Sequence, residues 1–229
     1  MIEDLVHVEY SCFSYLDDGI LSDPNDFVNK VFISVHEVDE VDDKISVIAK
    51  AEISLILLEL ADFYGSNETD VLDATHQIME MAEALLGFGS DKYTFDILSD
   101  YYPEEIFFNY NILHLDSIKV RPKWRRRGIG KYIIKDILER YFGNCGVMTL
   151  KAFPLQLEHG SSASEEHAEL KLNEFAQNEE KAKLSLFNYY KSLGFKNFNG
   201  DEYFIGLPYQ VLNTINKLHK ENKISEHVQ

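Results

Sequence analysis

The chain has 229 residues and a mass of 26.5 kDa, enough for one substantial domain or two small ones. Its content of 45% hydrophobic and 13% aromatic residues can build a core, which excludes an intrinsically disordered chain. The formal net charge of −17 argues against nucleic acid as a partner, because a phosphate backbone attracts positively charged surfaces.

Cysteine spacing and hydropathy argue against further classes. Cys12 and Cys145 lie far apart without the spacing of metal ligands, so we expect neither a disulfide framework nor a bound metal. The N-terminus is acidic where a secretory signal would be basic. Charged residues interrupt the most apolar segment, Ile45–Ala61, as in a strand rather than a membrane span. We therefore expect a soluble cytoplasmic protein without a membrane partner.

The basic residues are concentrated in one short segment. Between Lys119 and Lys135 there are eight basic residues and no acidic one, which leaves 14 basic residues against 39 acidic ones elsewhere. A positive island in an acidic chain indicates a local site for an anion.

The first hundred residues read as strands followed by helices. Leu5–Tyr15 alternates loosely as a strand, and Asp17–Gly19 supplies a turn. Lys30–His36 and Ile45–Leu58 predict a β-hairpin whose tip is the acidic run Glu37–Asp43.

Two helices are predicted next. Apolar residues at helical spacing predict one over Glu68–Leu86, which begins after Ser66 or Asn67 and ends at Gly87. The aromatic segment that follows is ambiguous, and we place a short helix over Phe95–Tyr101.

The pattern is clearer from Leu113 onwards. Leu113–Val120 alternates as a strand, Gly130–Tyr141 has one apolar face as a helix, and Val147–Phe153 is the next strand. A strand, a helix and a second strand in this order favour parallel pairing of the two strands.

A charged segment, Leu155–Lys183, has little periodicity and is either a mobile loop or a marginal helix. Leu184–Leu193 is helical by spacing, Glu202–Leu207 is a last strand, and Tyr209–Asn222 is a polar C-terminal helix. We expect one domain over residues 1–207, with a helical insertion at about 66–111 and a charged insertion at about 155–183. Residues 208–229 would form a C-terminal helix and tail.

The segment Arg125–Lys131 joins the strand to the helix through two glycines, Gly128 and Gly130. Unpaired amides of a first helical turn, together with the helix dipole, make a site for phosphate, and glycine lets an anion approach the backbone. A Walker loop would need glycine at Arg125, and a dinucleotide fingerprint would need a third glycine at Ile133. A solvated basic loop does not explain the glycines, so we expect a cradle for the phosphates of a nucleotide-type cofactor.

Two motifs resemble a known family. Arg125-x-x-Gly128-x-Gly130 after a strand resembles the acyl-CoA-binding signature of the GNAT acyltransferases, and Tyr190-x-x-Leu193-Gly194-Phe195 is similar to the end of their late helix. The resemblance covers roughly residues 111–207. It implies a mixed α/β fold with a twisted central sheet flanked by helices, here with an atypical N-terminal half.

The resemblance also implies how acetyl-CoA would bind. The loop amides would hold the pyrophosphate, the preceding strand would pair with the pantetheine arm, and the two parallel strands would separate to admit the thioester. Carried over by position, the cofactor-binding residues are Ile118, Lys119, Val120, Arg125, Arg126, Arg127, Gly128, Ile129, Gly130 and Lys131. Many members carry an asparagine where this chain has Lys183, which departs from the pattern.

Three residues are candidates for catalysis. Tyr190 matches the family tyrosine that can give a proton to the leaving thiolate. By period-two alternation, His114 and Asp116 share one face of their strand with Ile118, so either could accept the amine proton, directly or through water. Both could equally be surface or packing residues. Tyr189, one position from Tyr190, should point elsewhere.

The function implied is an N-acetyltransferase that uses acetyl-CoA and no metal. The acceptor would be an amine of a small molecule or a protein, and net acidity favours a cationic one; a homodimer is left open. The alternative is a non-catalytic acyl-CoA-binding or interaction module. Nucleic-acid binding through the basic island is disfavoured by the overall charge.

Overall fold

The computed structural model describes residues 6–12, 23–38, 44–87, 94–104, 108–157, 170–171, 178–198 and 202–226. The predicted turn at Asp17–Gly19, residues 39–43 of the predicted hairpin tip, and most of the charged insertion after Leu157 lie outside these residues.

The described residues form a seven-stranded sheet of β1 (Val6–Cys12), β2 (Val28–Val38), β3 (Lys44–Ile56), β4 (Ile112–Val120), β5 (Val147–Lys151), β6 (Lys196–Asn197) and β7 (Tyr203–Gly206). Their order in the sheet is β1-β2-β3-β4-β5-β7-β6. The pairing of β4 with β5 is parallel, and the other neighbouring pairs are antiparallel. The predicted mixed α/β class, with a central sheet flanked by helices, is confirmed.

Four helices pack on one face of the sheet: α1 (Leu58–Phe63), α2 (Glu68–Leu72), α3 (His76–Leu86) and α4 (Thr94–Tyr101). Their apolar side chains surround Ile56 and Ile112 of the sheet. The single helix predicted over Glu68–Leu86 is wrong, since it divides in two. The Thr75 hydroxyl accepts a hydrogen bond from the Ile78 amide at 3.3 Å, which starts α3 separately. The helix α1 was not predicted, because the apolar run of β3 continues into it and hides the change from the period of a strand to that of a helix.

Three helices pack near or against the other face: α5 (Ile129–Arg140), α6 (Glu179–Ser192) and α7 (Pro208–Glu226). Helix α6 begins five residues before the predicted start, because the Asn178 side chain accepts a hydrogen bond from the Lys181 amide at 2.9 Å. Val211 and Ile215 of α7 are fully buried in the core that α5 also fills. None of the helices in the described ranges is long and apolar enough to cross a membrane.

The parallel pair β4–β5 is short. Ile112 to Leu115 of β4 lie opposite Val147 to Leu150 of β5, and β4 continues to Val120 without a partner on that side among the described strands. Strand β5 ends at Lys151. The two strands therefore open towards the C-terminal end of β4, as the sequence resemblance implies.

Strand β4 also carries a bulge. Consecutive residues of β3, Glu52 and Ile53, lie opposite Ser117 and Leu115, so Asp116 is an extra residue in β4. A bulge of this kind reverses the faces of the residues on its two sides. It lies where β4 separates from β5.

Candidate functional site

A cavity of about 620 Å³ lies where β4 and β5 separate. One wall is β4 from Leu115 to Val120, and the end of β5 contributes Lys151. The loop before α5 and the first residues of α5 form the next wall, and α6 closes the cavity from the side of Tyr190. The topology thus brings together four elements that lie up to about seventy residues apart in the sequence.

The loop before α5 has the conformation of an anion cradle. Gly128 is the N-cap of α5 with φ +83°, and Arg126 has φ +60°. Left-handed residues that alternate with right-handed ones turn successive backbone amides towards one point. No backbone carbonyl of the described residues accepts a hydrogen bond from the amides of Arg126 to Lys131. These donors are therefore available to a ligand at the end of the cavity.

The side chains of the basic island have different partners. The Arg125 Nε atom donates to the Val120 carbonyl at 3.0 Å, and its Nη2 atom donates to the Leu170 carbonyl. The Arg127 guanidinium lies 5.2 Å from the centroid of the Trp124 ring. Arg126 lines the cavity, whereas the cavity-lining residues do not include Arg127 or Lys131. Eight of the ten predicted cofactor-binding residues line the cavity.

Asp116, the extra residue of the bulge, lines the cavity and is largely buried. Its Oδ2 atom accepts a hydrogen bond from the Ser54 hydroxyl at 2.8 Å, and its Oδ1 atom is buried without a partner among the described residues. Burial raises the pKa of this carboxyl, although the Ser54 hydrogen bond opposes the shift. A carboxylate that is short of hydrogen bonds is a proton acceptor suited to a neighbouring donor.

His114 is not brought to the cavity, so the expected shared face is wrong. It lies opposite Ser54, whereas Ile118 lies opposite Ala51, an odd number of residues away on β3. The bulge at Asp116 thus places His114 and Ile118 on opposite faces. The ring is 3% exposed and its Nδ1 atom lies 2.8 Å from the Thr149 hydroxyl. Desolvation lowers the pKa of His114 to about 4, which makes it a weak base.

Tyr190 and Tyr189 both line the cavity. Their rings are 5.2 Å apart between centroids and inclined by 64°. Burial raises the pKa of Tyr190 to about 12, so its hydroxyl stays protonated at neutral pH. The expectation that Tyr189 points elsewhere is wrong: neighbouring residues on a helix diverge by about 100° at their Cα atoms, but the cavity is wide enough to receive both side chains.

Lys183 holds the position of the family asparagine and has other partners. Its ammonium lies 2.7 Å from Glu179 and 2.7 Å from Glu202. These carboxylates raise the pKa of Lys183, and the cavity-lining residues do not include it. The side chain thus links α6 to the start of β7 rather than to the cavity.

Among the described residues, no cluster of three or more histidine, cysteine, aspartate or glutamate side chains could hold a metal ion.

Comparison with known proteins gives little further information. No family model matches the sequence, and no curated protein matches it. One solved structure to which the chain is similar is described as AtaT complexed with acetyl-methionyl-tRNAfMet. The likeness covers 90% of this chain and 96% of that chain, with a TM-score of 0.38 and 9% sequence identity. A likeness of that size indicates nothing about the function of this chain.

The raised pKa of Asp116 has a consequence for stability. At a pH above the ordinary value of 3.8 the unfolded chain has released this proton while the folded chain still holds it, so the unfolding free energy falls as pH rises through the raised pKa. Asp116→Asn removes this dependence. We therefore expect Asp116→Asn to gain stability relative to the wild type as the pH rises from 3 to 7. Urea titrations at each pH measure the difference in unfolding free energy between the two proteins.

Glu83→Gln, an exposed position on α3, is the control for loss of a carboxyl. A difference for Asp116→Asn that stays flat with pH, or that shrinks towards neutrality, would contradict the burial of a titrating group.

Proposed function

We propose that this protein is an acyl-CoA-dependent N-acyltransferase that uses acetyl-CoA and an amine acceptor. The observation that supports it most is a single cavity lined by three features: the unpaired amides before α5, the free edge of β4, and the pair Asp116 and Tyr190. A nucleotide thioester needs a phosphate site, a slot for its extended arm and acid–base groups at its reactive end, in that arrangement.

The residues fit the phosphates and the arm of coenzyme A. The amides of Arg126 to Lys131 would bind the pyrophosphate, with Arg126 near them as a cation. The edge of β4 at Ile118 has no strand partner towards β5 among the described residues, so its backbone can pair with the pantetheine arm. The Val120 carbonyl beside it already accepts a hydrogen bond from Arg125 Nε. Coenzyme A would supply the acetyl group as an activated thioester.

Two side chains provide proton transfer. Asp116 would take a proton from the acceptor amine, directly or through water, because its Oδ1 atom has no hydrogen bond from the described residues. Tyr190 would give a proton to the departing sulfur, because the residue lines the cavity and its hydroxyl is protonated at neutral pH. His114 has no part in this proposal, since it is buried away from the cavity.

A cationic acceptor suits the sheet face beside Asp116. Glu52 lies opposite Ser117, the residue after Asp116, and is half-buried on β3. A carboxylate next to the proposed base would attract a second positive charge on the acceptor. We therefore include polyamines, aminoglycoside-like cations, amino acids and peptide amines as candidate acceptors.

The decisive experiment measures thiol release from acetyl-CoA with each of these amines. We expect release that depends on the acceptor and is fastest with a polycation. Protection of the protein by coenzyme A against thermal unfolding, without acceptor-dependent release, would instead support a non-catalytic acyl-CoA-binding module.

Tyr190→Phe separates the proton donor from the binding site. We expect kcat to fall by roughly a hundredfold, the size of a general acid's contribution, while the dissociation constant of coenzyme A stays essentially unchanged. Steady-state kinetics and calorimetry measure the two quantities. Unchanged kcat would contradict the acid role.

Gly128→Val and Arg126→Ala rank the backbone against the side chain. Valine is strained at φ +83°, with a conformational cost on the order of 1–3 kcal/mol, and would distort the loop. Gly128→Val should therefore lose more affinity for coenzyme A than Arg126→Ala does. Gly65→Val is the control, because Gly65 also has a left-handed φ of +74° but is not among the residues that line the cavity. A Cβ atom added to Gly65 would meet no atom within 4 Å. The reverse ranking in calorimetry would contradict a backbone cradle.

A further inference from the structure

Helix α6 presents a polar row to the cavity. Lys181, Ser185 and Tyr189 are spaced four residues apart, so they lie one above the other on one side of the helix, and all three line the cavity. Ala182, Leu186 and Tyr190 form the apolar row beside them. The helix therefore offers the cavity two different surfaces along its length.

The polar atoms of this row are available to a ligand. No hydrogen bond or ion pair joins the side chains of Lys181, Ser185 or Tyr189 to another described residue, whereas Lys183 on the same helix is held by two carboxylates. Lys183, which holds the position of the family asparagine, is thus paired away from the cavity. The polar residues of this helix that line the cavity are instead Lys181, Ser185 and Tyr189.

The Tyr189 hydroxyl lies at the anion cradle. A Cβ atom added to Gly130, in the first turn of α5, would be only 3.1 Å from the Tyr189 hydroxyl oxygen. A side chain at this position would require the hydroxyl to shift by a few tenths of an ångström, so glycine favours its close approach to the helix N-terminus. The ring is largely buried, and burial raises the pKa of the hydroxyl, so it is a donor rather than an anion at neutral pH.

We infer that Tyr189 is a cofactor-positioning residue whose hydroxyl donates a hydrogen bond to a phosphate oxygen held by the amides around Gly128 and Gly130. The inference rests on the proposed function and extends it. The adjacent tyrosines of α6 then have separate tasks: Tyr190 serves the sulfur end of coenzyme A, and Tyr189 serves the phosphate end.

The test compares a ligand that has phosphates with one that lacks them. Coenzyme A carries the pyrophosphate, and pantetheine has the same thiol arm without any phosphate. Tyr189→Phe should weaken the binding of coenzyme A by roughly tenfold, as for loss of a hydrogen bond to a charged group, and leave the dissociation constant of pantetheine unchanged. In turnover, the KM of acetyl-CoA should rise while kcat holds, the opposite of the pattern expected for Tyr190→Phe.

Tyr64→Phe is the matched control, because Tyr64 is 52% exposed and lies away from the cavity. An equal loss for coenzyme A and pantetheine would show that Tyr189 acts by packing and would overturn the inference. Unchanged binding of both ligands would overturn it as well. If the wild type binds no coenzyme A, the proposed function fails, and this inference fails with it. If the wild type and Tyr189→Phe bind coenzyme A equally well, only the role of Tyr189 is refuted.

Discussion

The candidate site depends on the early end of the pairing between β4 and β5. Four residue pairs hold the two strands together, and beyond Leu115 and Leu150 β4 continues without a partner on that side among the described strands. Backbone donors and acceptors left unpaired at the edge of a strand must find partners in water or in a ligand. The bulge at Asp116 falls at the same point, and Asp116 lines the opening. The opening and the bulge together give a site that a regular sheet would not contain.

The packing of helices on both faces keeps this opening in place. Helices α1 to α4 bury the sheet around Ile56 and Ile112, while α5 and α7 fill the other face with Ile134 and Ile215. Each face of the sheet therefore has its own apolar cluster. Helix α6 lies across the cavity, where Tyr190 joins the core cluster by packing against Phe195 and Phe204.

The electrostatics of the site come from backbone amides and from the cationic residues that line the cavity, among them Arg126 and Lys181. Much of the basic island is engaged with other groups: Lys135 lies 2.7 Å from Glu139, Lys123 lies 3.7 Å from Glu37, and the Arg125 guanidinium donates to carbonyls. The amides before α5 have no such partners among the described residues. An acidic protein can thus offer a local anion site, because helix amides and their dipole do not depend on net charge.

The mixed α/β class and the order of strand, loop and helix around Gly128 could be predicted from the sequence, because glycine spacing and hydrophobic periodicity are local properties. The role of this loop as a phosphate cradle stays a prediction. The sequence also predicted that Tyr190 and Asp116 belong to one site. The positions of His114 and Tyr189 relative to the cavity follow from tertiary structure and could not be predicted from the sequence. A bulge changes which face a strand residue occupies without altering the alternation of its sequence. The prediction that His114 shares a face with Ile118 was wrong for this reason. Tyr189 reaches Gly130 because two helices distant in sequence approach closely, and no local pattern records that distance.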